Sequence, residues 1–107
     1  ANVRAALHAA LAMALAGQGQ ADKALSEARR AVALVPATAD AAEGPVWLEY
    51  LARVYVQTGQ LDQAESVVRE LLDKSYLHPL TLAFVQIDPA WDRIADRFAA
   101  PREPDSR

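Results

Sequence analysis

The stretch GQLDQAE, residues 59–65, nearly repeats the earlier stretch GQADKAL, residues 19–25. Each copy begins with a glycine, which can end a helix in a left-handed conformation, and places an aspartate three residues later, near the start of a following helix. Turns of only a few residues between two apolar segments are typical of antiparallel helical hairpins. The repeated turn therefore predicts two helical hairpins in one chain.

Composition limits the classes of protein that this chain can represent. Its 107 residues fit one domain, and 52% hydrophobic with 23% charged residues is ordinary for a globular core. Alanine is the commonest residue and there are only four glycines, which favours helix and predicts an all-α fold. A net charge of −3 argues against nucleic-acid binding, and the lack of cysteine excludes disulfides and thiolate metal sites.

Apolar residues recur at helical spacing in four segments, which we place at about residues 3–17, 21–34, 45–58 and 62–74. The first segment is apolar but shorter than the roughly 20 residues that a bilayer requires, so we interpret it as a core helix and expect no membrane contact. The chain begins at Ala1 without a methionine. We therefore expect it to be an excised piece of a longer protein, or a processed product.

The two halves agree at further positions that lie 40 residues apart. These are Leu11, Ala12, Leu15 and Ala24 in the first half, and Leu51, Ala52, Tyr55 and Ala64 in the second. Together with Gly19, Gly59 and Pro36, they resemble the tetratricopeptide repeat over roughly residues 5–76. The resemblance implies an α-α superhelix of two repeats, about 3–36 and 45–76 within a domain spanning 1–76. We expect the alanines to mark the closest helix approach, and Leu11, Leu15, Leu51 and Tyr55 to fill the space around them.

A C-terminal section, residues 77–99, is predicted to cap the second hairpin. Asp88 followed by Pro89 is a helix-start signal, and Trp91, Ile94 and Phe98 share one face of a short helix. We expect these three side chains to pack on the fourth helix, near Val67, Val68, Leu71 and Leu72. Residues 100–107 contain two prolines and no core residues, which predicts a disordered tail.

The sequence motif IDPAWD…RF, within residues 87–98, is similar to a segment that follows the last tetratricopeptide repeat in many bacterial signalling proteins. The residues that match it are Ile87, Asp88, Pro89, Trp91, Asp92, Arg97 and Phe98. Arg93 stands where that segment has a proline. The resemblance implies a parent protein of the serine/threonine kinase, nucleotide cyclase or winged-helix regulator type.

No group of residues predicts catalysis, a metal site or a cofactor. The two histidines, His8 and His78, lie in different elements and have no second histidine or carboxylate three or four residues further on. Asp88 and Asp92 lie one turn apart, but the first is predicted to cap a helix and the second to face water. We therefore expect a protein that is not an enzyme.

The resemblance implies that the first helix of each repeat lines a concave groove. The candidate partner-binding residues are Met13, Val46, Glu49, Tyr50, Arg53 and Gln57. Glu49 and Arg53 have two interpretations: a surface pair without a partner, or a contact with a bound peptide. The groove lacks the lysine and asparagine positions with which chaperone-binding family members hold a terminal carboxylate. We expect a cytoplasmic scaffold for a protein or peptide segment, supplied by another protein or by the parent's own N-terminal domain. The alternative is a structural dimerisation domain of the parent protein.

The first helix carries only Arg4 and His8 as polar residues, so most of its circumference is apolar. One hairpin partner and the second repeat cannot cover all of it. We expect an earlier repeat to cover the remainder in the full protein. In the isolated chain we expect a two-fold homodimer through Ala5, Ala6, Ala9 and Met13.

Overall fold

The structure is a computed structural model that describes residues 2–36, 39–40, 42–73 and 82–98. Its four long helices are α1 (Val3–Gly17), α2 (Ala21–Leu34), α3 (Gly44–Gln57) and α4 (Leu61–Asp73). A short helix, α5 (Leu82–Ile87), and two 3-10 helices (Pro89–Trp91 and Ala95–Phe98) follow. The predicted all-α class is confirmed, and each long helix lies within one residue of its predicted bounds. The expected tail at 100–107 lies outside the described residues, as does the link from 74 to 81 with His78.

The two turns that prompted the hairpin prediction have the same geometry. Gly19 and Gly59 have positive φ angles of 78° and 80°, which glycine adopts at little steric cost. In both turns the amide of the following glutamine donates to the carbonyl of the residue five positions earlier, at 2.9 Å in the first and 2.8 Å in the second. An aspartate then occupies the first turn of the next helix in each repeat. The recurrence of the turn is therefore the recurrence of one backbone unit.

The hairpins are built on buried alanines. Along α1 the buried residues are Ala5, Ala9, Ala12 and Ala16, and along α2 they include Ala24, Ala28 and Ala31. Because alanine has no side chain beyond Cβ, two helices can lie close together along such a stripe. The four alanines expected at the closest approach, Ala12, Ala24, Ala52 and Ala64, are all fully buried.

The second repeat is joined to the first at the starts of α1 and α3. The carboxylate of Glu43 accepts hydrogen bonds from the backbone amide of Asn2, at 2.9 Å, and from the indole nitrogen of Trp47, at 3.1 Å. Asn2 itself caps α1 by accepting from the amide of Ala5. These contacts fix the first helices of the two repeats side by side.

Leu11 corrects one packing prediction. Its counterpart in the second repeat, Leu51, is only 8% exposed, whereas Leu11 is 47% exposed. The two leucines occupy the same repeat position, but the first hairpin covers α3 on that side and nothing in the described residues covers α1 there. Equal sequence position therefore does not give equal burial at the end of a stack.

The C-terminal cap, residues 82–98, closes the other end of the stack. Trp91 and Ile94 are fully buried and Phe98 nearly so, in the same apolar cluster as Val68 and Leu71. The three side chains are buried as expected, but the first 3-10 helix lies against α3 and the second against α5. Phe98 reaches α4 under the guanidinium of Arg69, and packing of Trp91 and Ile94 on α4 stays a prediction. The predicted single helix is wrong, because the segment forms two 3-10 helices joined by a turn after α5. Asp88 still acts as the predicted cap, accepting from the amide of Ala90, but the amides of Trp91, Ile94 and Arg97 each donate to the carbonyl three residues earlier, which is the 3-10 pattern.

Candidate protein-binding surface

Helices α1 and α3 lie against each other, and their outward side forms what we call the α1–α3 surface. All six predicted partner-binding residues have solvent access on these two helices. Five of them are half-buried, and Gln57 is exposed; the half-buried residues are Met13, Val46, Glu49, Tyr50 and Arg53. Ala6 and Ala10 add small exposed side chains on α1.

The part of this surface that adjoins α1 is apolar, and its α3 side chains pack on buried residues. Val46 and Tyr50 pack against the buried cluster of Ala5, Ala9 and Trp47. The rings of Trp47 and Tyr50 stack with their centroids 5.8 Å apart and their planes at 29°. An aromatic side chain that is already held in place loses little conformational freedom when it contacts a partner. This part of the surface is therefore apolar and held in a fixed arrangement.

The other side of the α1–α3 surface is an ion-pair network joined to the cap. The guanidinium of Arg53 donates to the Glu49 carboxylate from Nε at 2.9 Å and from Nη2 at 2.5 Å. Its Nη2 also lies 3.5 Å from Asp88 Oδ2, and its carbon lies 5.0 Å from the centroid of the Trp91 ring. The predicted pair of Glu49 and Arg53 therefore exists, but Arg53 is also held by the cap.

This network was only partly visible in the sequence. The spacing of Glu49 and Arg53 is a helical i, i+4 pattern, which single-helix reasoning finds. Asp88 lies 35 residues after Arg53, and nothing in local spacing joins them. Only the docking of the cap beside α3 shows that Arg53 orients Asp88 and covers Trp91.

A third feature is an exposed aliphatic stripe on α1, which we call the ridge and define as Val3, Leu7 and Leu11. These side chains are 70%, 65% and 47% exposed. Ala5 and Ala9, which were predicted to mediate self-association, are buried inside the chain, so they cannot form an outer contact surface. Of the predicted set, Ala6 is exposed and Met13 is half-buried. The open apolar face of α1 is therefore the ridge, rotated away from the buried alanine stripe.

Arginine and histidine side chains lie between the ridge and α2. We define the basic edge as Arg4, His8 and Arg30, which together with Ala33 and Leu34 line an open cavity of about 260 Å³. His8 Nδ1 and Glu27 Oε1 form a hydrogen bond of 2.5 Å, and Arg30 Nη1 lies 3.9 Å from the same carboxylate. Arg30 keeps 63% of its side chain exposed. His8 is therefore part of the contact between the helices of the first hairpin.

The cap is fixed to α4 by a second ionic network. Arg97 Nη1 donates to Asp62 at 2.8 Å and to Glu65 at 2.9 Å, and Arg69 also pairs with Glu65. The hydrogen bonds from Arg97 and then Arg69 hold the pKa of Glu65 below its ordinary value of 4.5. Arg69 also lies over the Phe98 ring, 4.6 Å from its centroid. Charge and aromatic contact together hold the end of the cap in place.

The part of the chain that the structure describes contains neither a group of side chains that could bind a metal nor a helix that could span a membrane. Within those ranges, no three histidine, cysteine or carboxylate side chains are grouped so that they could hold a metal ion. Among the helices of that same part of the chain, none combines the length and the hydropathy needed to cross a membrane.

Comparison with known protein families identifies the family to which the repeats belong. The family model described as Tetratricopeptide repeat matches residues 15–79, which is more than half of the chain and includes both glycine turns. Neither the curated proteins nor the solved structures gave a match. Members of this family generally mediate protein–protein interactions and are typically non-catalytic. The chain therefore belongs to the tetratricopeptide repeat family.

Proposed function

We propose that this chain is a non-catalytic protein-interaction module that binds a protein or peptide segment on the α1–α3 surface. The observation that carries the proposal is the preorganised apolar area of Val46 and Tyr50, which is supported by Trp47 and bordered by the ion-paired Arg53. An amphipathic helix or an extended apolar segment suits such a surface, because its apolar side chains replace water over Tyr50 while its polar side faces solvent.

The wider context is proposed from the cap. Two features support a position of this chain at the C-terminal end of a repeat array in a bacterial, cytoplasmic signalling or regulatory protein. They are the sequence motif of residues 87–98 and the burial of Trp91 against the second repeat. In that arrangement the partner is another protein or the N-terminal domain of the same parent.

A phage-displayed library of random peptides tests the binding proposal with a defined probe. We expect selected peptides to bind with dissociation constants of about micromolar magnitude. Tyr50→Glu and Met13→Glu should each weaken binding by about tenfold or more, because a carboxylate would have to be desolvated against the peptide. Ser26→Glu is the matched control, since it adds the same charge at an exposed position on α2.

Two results would contradict the proposal. One is a library that yields no specific binder. The other is a set of binders whose affinity falls with Ser26→Glu but not with either surface variant. Thermal unfolding of all three variants separates loss of binding from loss of the fold.

Structural dimerisation of the parent protein is the second candidate, and the exposed ridge favours it. Sedimentation equilibrium distinguishes the two functions. If the chain has the mass of a dimer and Leu7→Glu returns it to a monomer without affecting peptide binding, dimerisation through the ridge is established. A monomer at all concentrations removes this candidate.

A further inference from the structure

The second repeat shows what covers the ridge position in this fold. The residues 40 positions after Leu7 and Leu11 are Trp47 and Leu51, and each is only 8% exposed. Trp47 is buried against Ala5, Ala9, Ala31 and Val35 of the first hairpin. The same side of α3 is therefore a helix-packing face, and the ridge is its uncovered equivalent on α1.

The ridge has different neighbours on its two sides. At 100° per residue, Ala6, Ala10 and Met13 lie on one side of Val3 and Leu7, toward the α1–α3 surface. Arg4 and His8 lie on the other side, toward α2, where Arg30 joins them around the open cavity. A helix lying on the ridge would therefore have one flank beside small apolar side chains and the other beside the basic edge.

Charge at this end of the domain is opposite to that of the whole chain. Residues 1–36 contain four basic and two acidic side chains, a net charge of +2, whereas the chain carries −3. At the basic edge the one carboxylate that the described residues place in contact is Glu27, which is already bonded to His8 and lies close to Arg30. Arg4 is exposed, as is most of Arg30, so both can meet a carboxylate from outside without breaking the contact between His8 and Glu27.

We propose that the ridge and the basic edge together seat an amphipathic helix that carries carboxylates along the flank facing Arg4 and Arg30. The proposal rests on the array context proposed above, and the helix is supplied by the repeat that precedes α1 in that array. Its apolar stripe covers Val3, Leu7 and Leu11, as the first hairpin covers Trp47. The charge of its flank determines which helix is accepted, because a basic flank would place like charges beside two arginines.

A fusion library tests this chemistry in the full chain. Helices of about 14 residues, with a fixed apolar stripe and the other positions randomised, are joined before Asn2 through a turn of about four residues. The displayed library is sorted for resistance to chymotrypsin. At positions flanking the stripe on one side, we expect acidic residues to be enriched about fivefold over basic ones.

Variants identify the residues that cause the enrichment. In an Arg4→Glu/Arg30→Glu background the preference should reverse toward basic residues. In the control Lys23→Glu, which reverses one basic charge at the other end of the hairpin, the acidic preference should persist. Leu7→Glu should remove the gain in resistance for every helix.

Three outcomes would overturn the proposal: selected helices without an acidic preference, resistance that survives Leu7→Glu, or an unfused chain that is a dimer through the ridge. The last outcome would identify the occupant as a second copy of this chain. Tyr50→Glu should leave the helix selection unchanged, so failure here is distinguishable from failure of peptide binding on the α1–α3 surface.

Discussion

Replacing Trp91 by alanine tests whether the cap is part of the cooperative fold. The indole is fully buried between the cap and the second repeat, and the guanidinium of Arg53 lies over it. A buried tryptophan removes about 150–250 Å² from water. At roughly 25 cal/mol per Å², that burial corresponds to about 4–6 kcal/mol as an upper bound.

Two effects adjust this figure. Part of the cap can settle into the space left by the indole, which lowers the cost, whereas loss of the Arg53 contact adds about 0.5–1 kcal/mol. We therefore expect Trp91→Ala to lower the free energy of unfolding by about 3–5 kcal/mol. With a urea dependence of about 1.5 kcal/mol per molar, the midpoint of the urea transition should fall by about 2–3 M.

Urea titrations followed by far-ultraviolet circular dichroism measure the effect, with two comparison variants. Ile87→Ala lies in the same segment but its side chain is 71% exposed, so its transition should nearly overlay that of the parent. Trp91→Phe keeps an aromatic ring, and none of the described residues accepts a hydrogen bond from the indole nitrogen, so we expect a smaller loss than for alanine. If the curves for Trp91→Ala and the parent overlay, the cap does not contribute to the stability of the repeats, and the reasoning is wrong.

Two further predictions concern the turn and the cap network. Gly19→Ala should destabilise the protein by about 1 kcal/mol because its φ is 78°, whereas Gly17→Ala, in the helix where an added Cβ would meet nothing within 4 Å, should be neutral or stabilising by about 0.5 kcal/mol. Thermal melts of the two variants check this, and equal shifts would contradict the assigned backbone conformation. Arg97 holds the pKa of Glu65 in the folded protein below 4.5, so the Glu65 carboxylate of the unfolded chain is protonated first as the pH falls. The Glu65 carboxylate therefore stabilises the fold above pH 4.5, and this stabilisation is lost as the pH falls through the lowered pKa. Glu65→Gln should therefore be less stable than the parent at pH 7, and the difference should disappear in acid; a difference that is constant with pH would refute the assignment.

The long helices could be predicted from the sequence because their signals are local. Apolar spacing gives the helical faces, and Gly19 and Gly59 fix where α1 and α3 end. The alanine contacts followed from the 40-residue correspondence between the halves. The helical faces and the helix ends depend on residues within one helix or one turn, whereas the alanine contacts required the comparison of the two halves.

The parts that sequence reasoning missed depend on which elements become neighbours. Leu11 and Leu51 occupy equivalent positions but differ in burial, because only α3 has a hairpin packed against it on that side. The pairing of Arg53 with Asp88 required the position of the cap. The division of the cap into two 3-10 helices was also missed, because the spacing of Trp91, Ile94 and Phe98 fits one helix equally well.

A nuclear magnetic resonance titration of the labelled chain with a peptide from the display selection shows which helices contact the peptide. Binding on the α1–α3 surface should shift amide signals of α1 and α3, around Met13, Val46 and Tyr50, while signals of the outer faces of α2 and α4 stay in place. Shifts confined to α2 or α4, or spread evenly over the chain, would contradict binding on the α1–α3 surface.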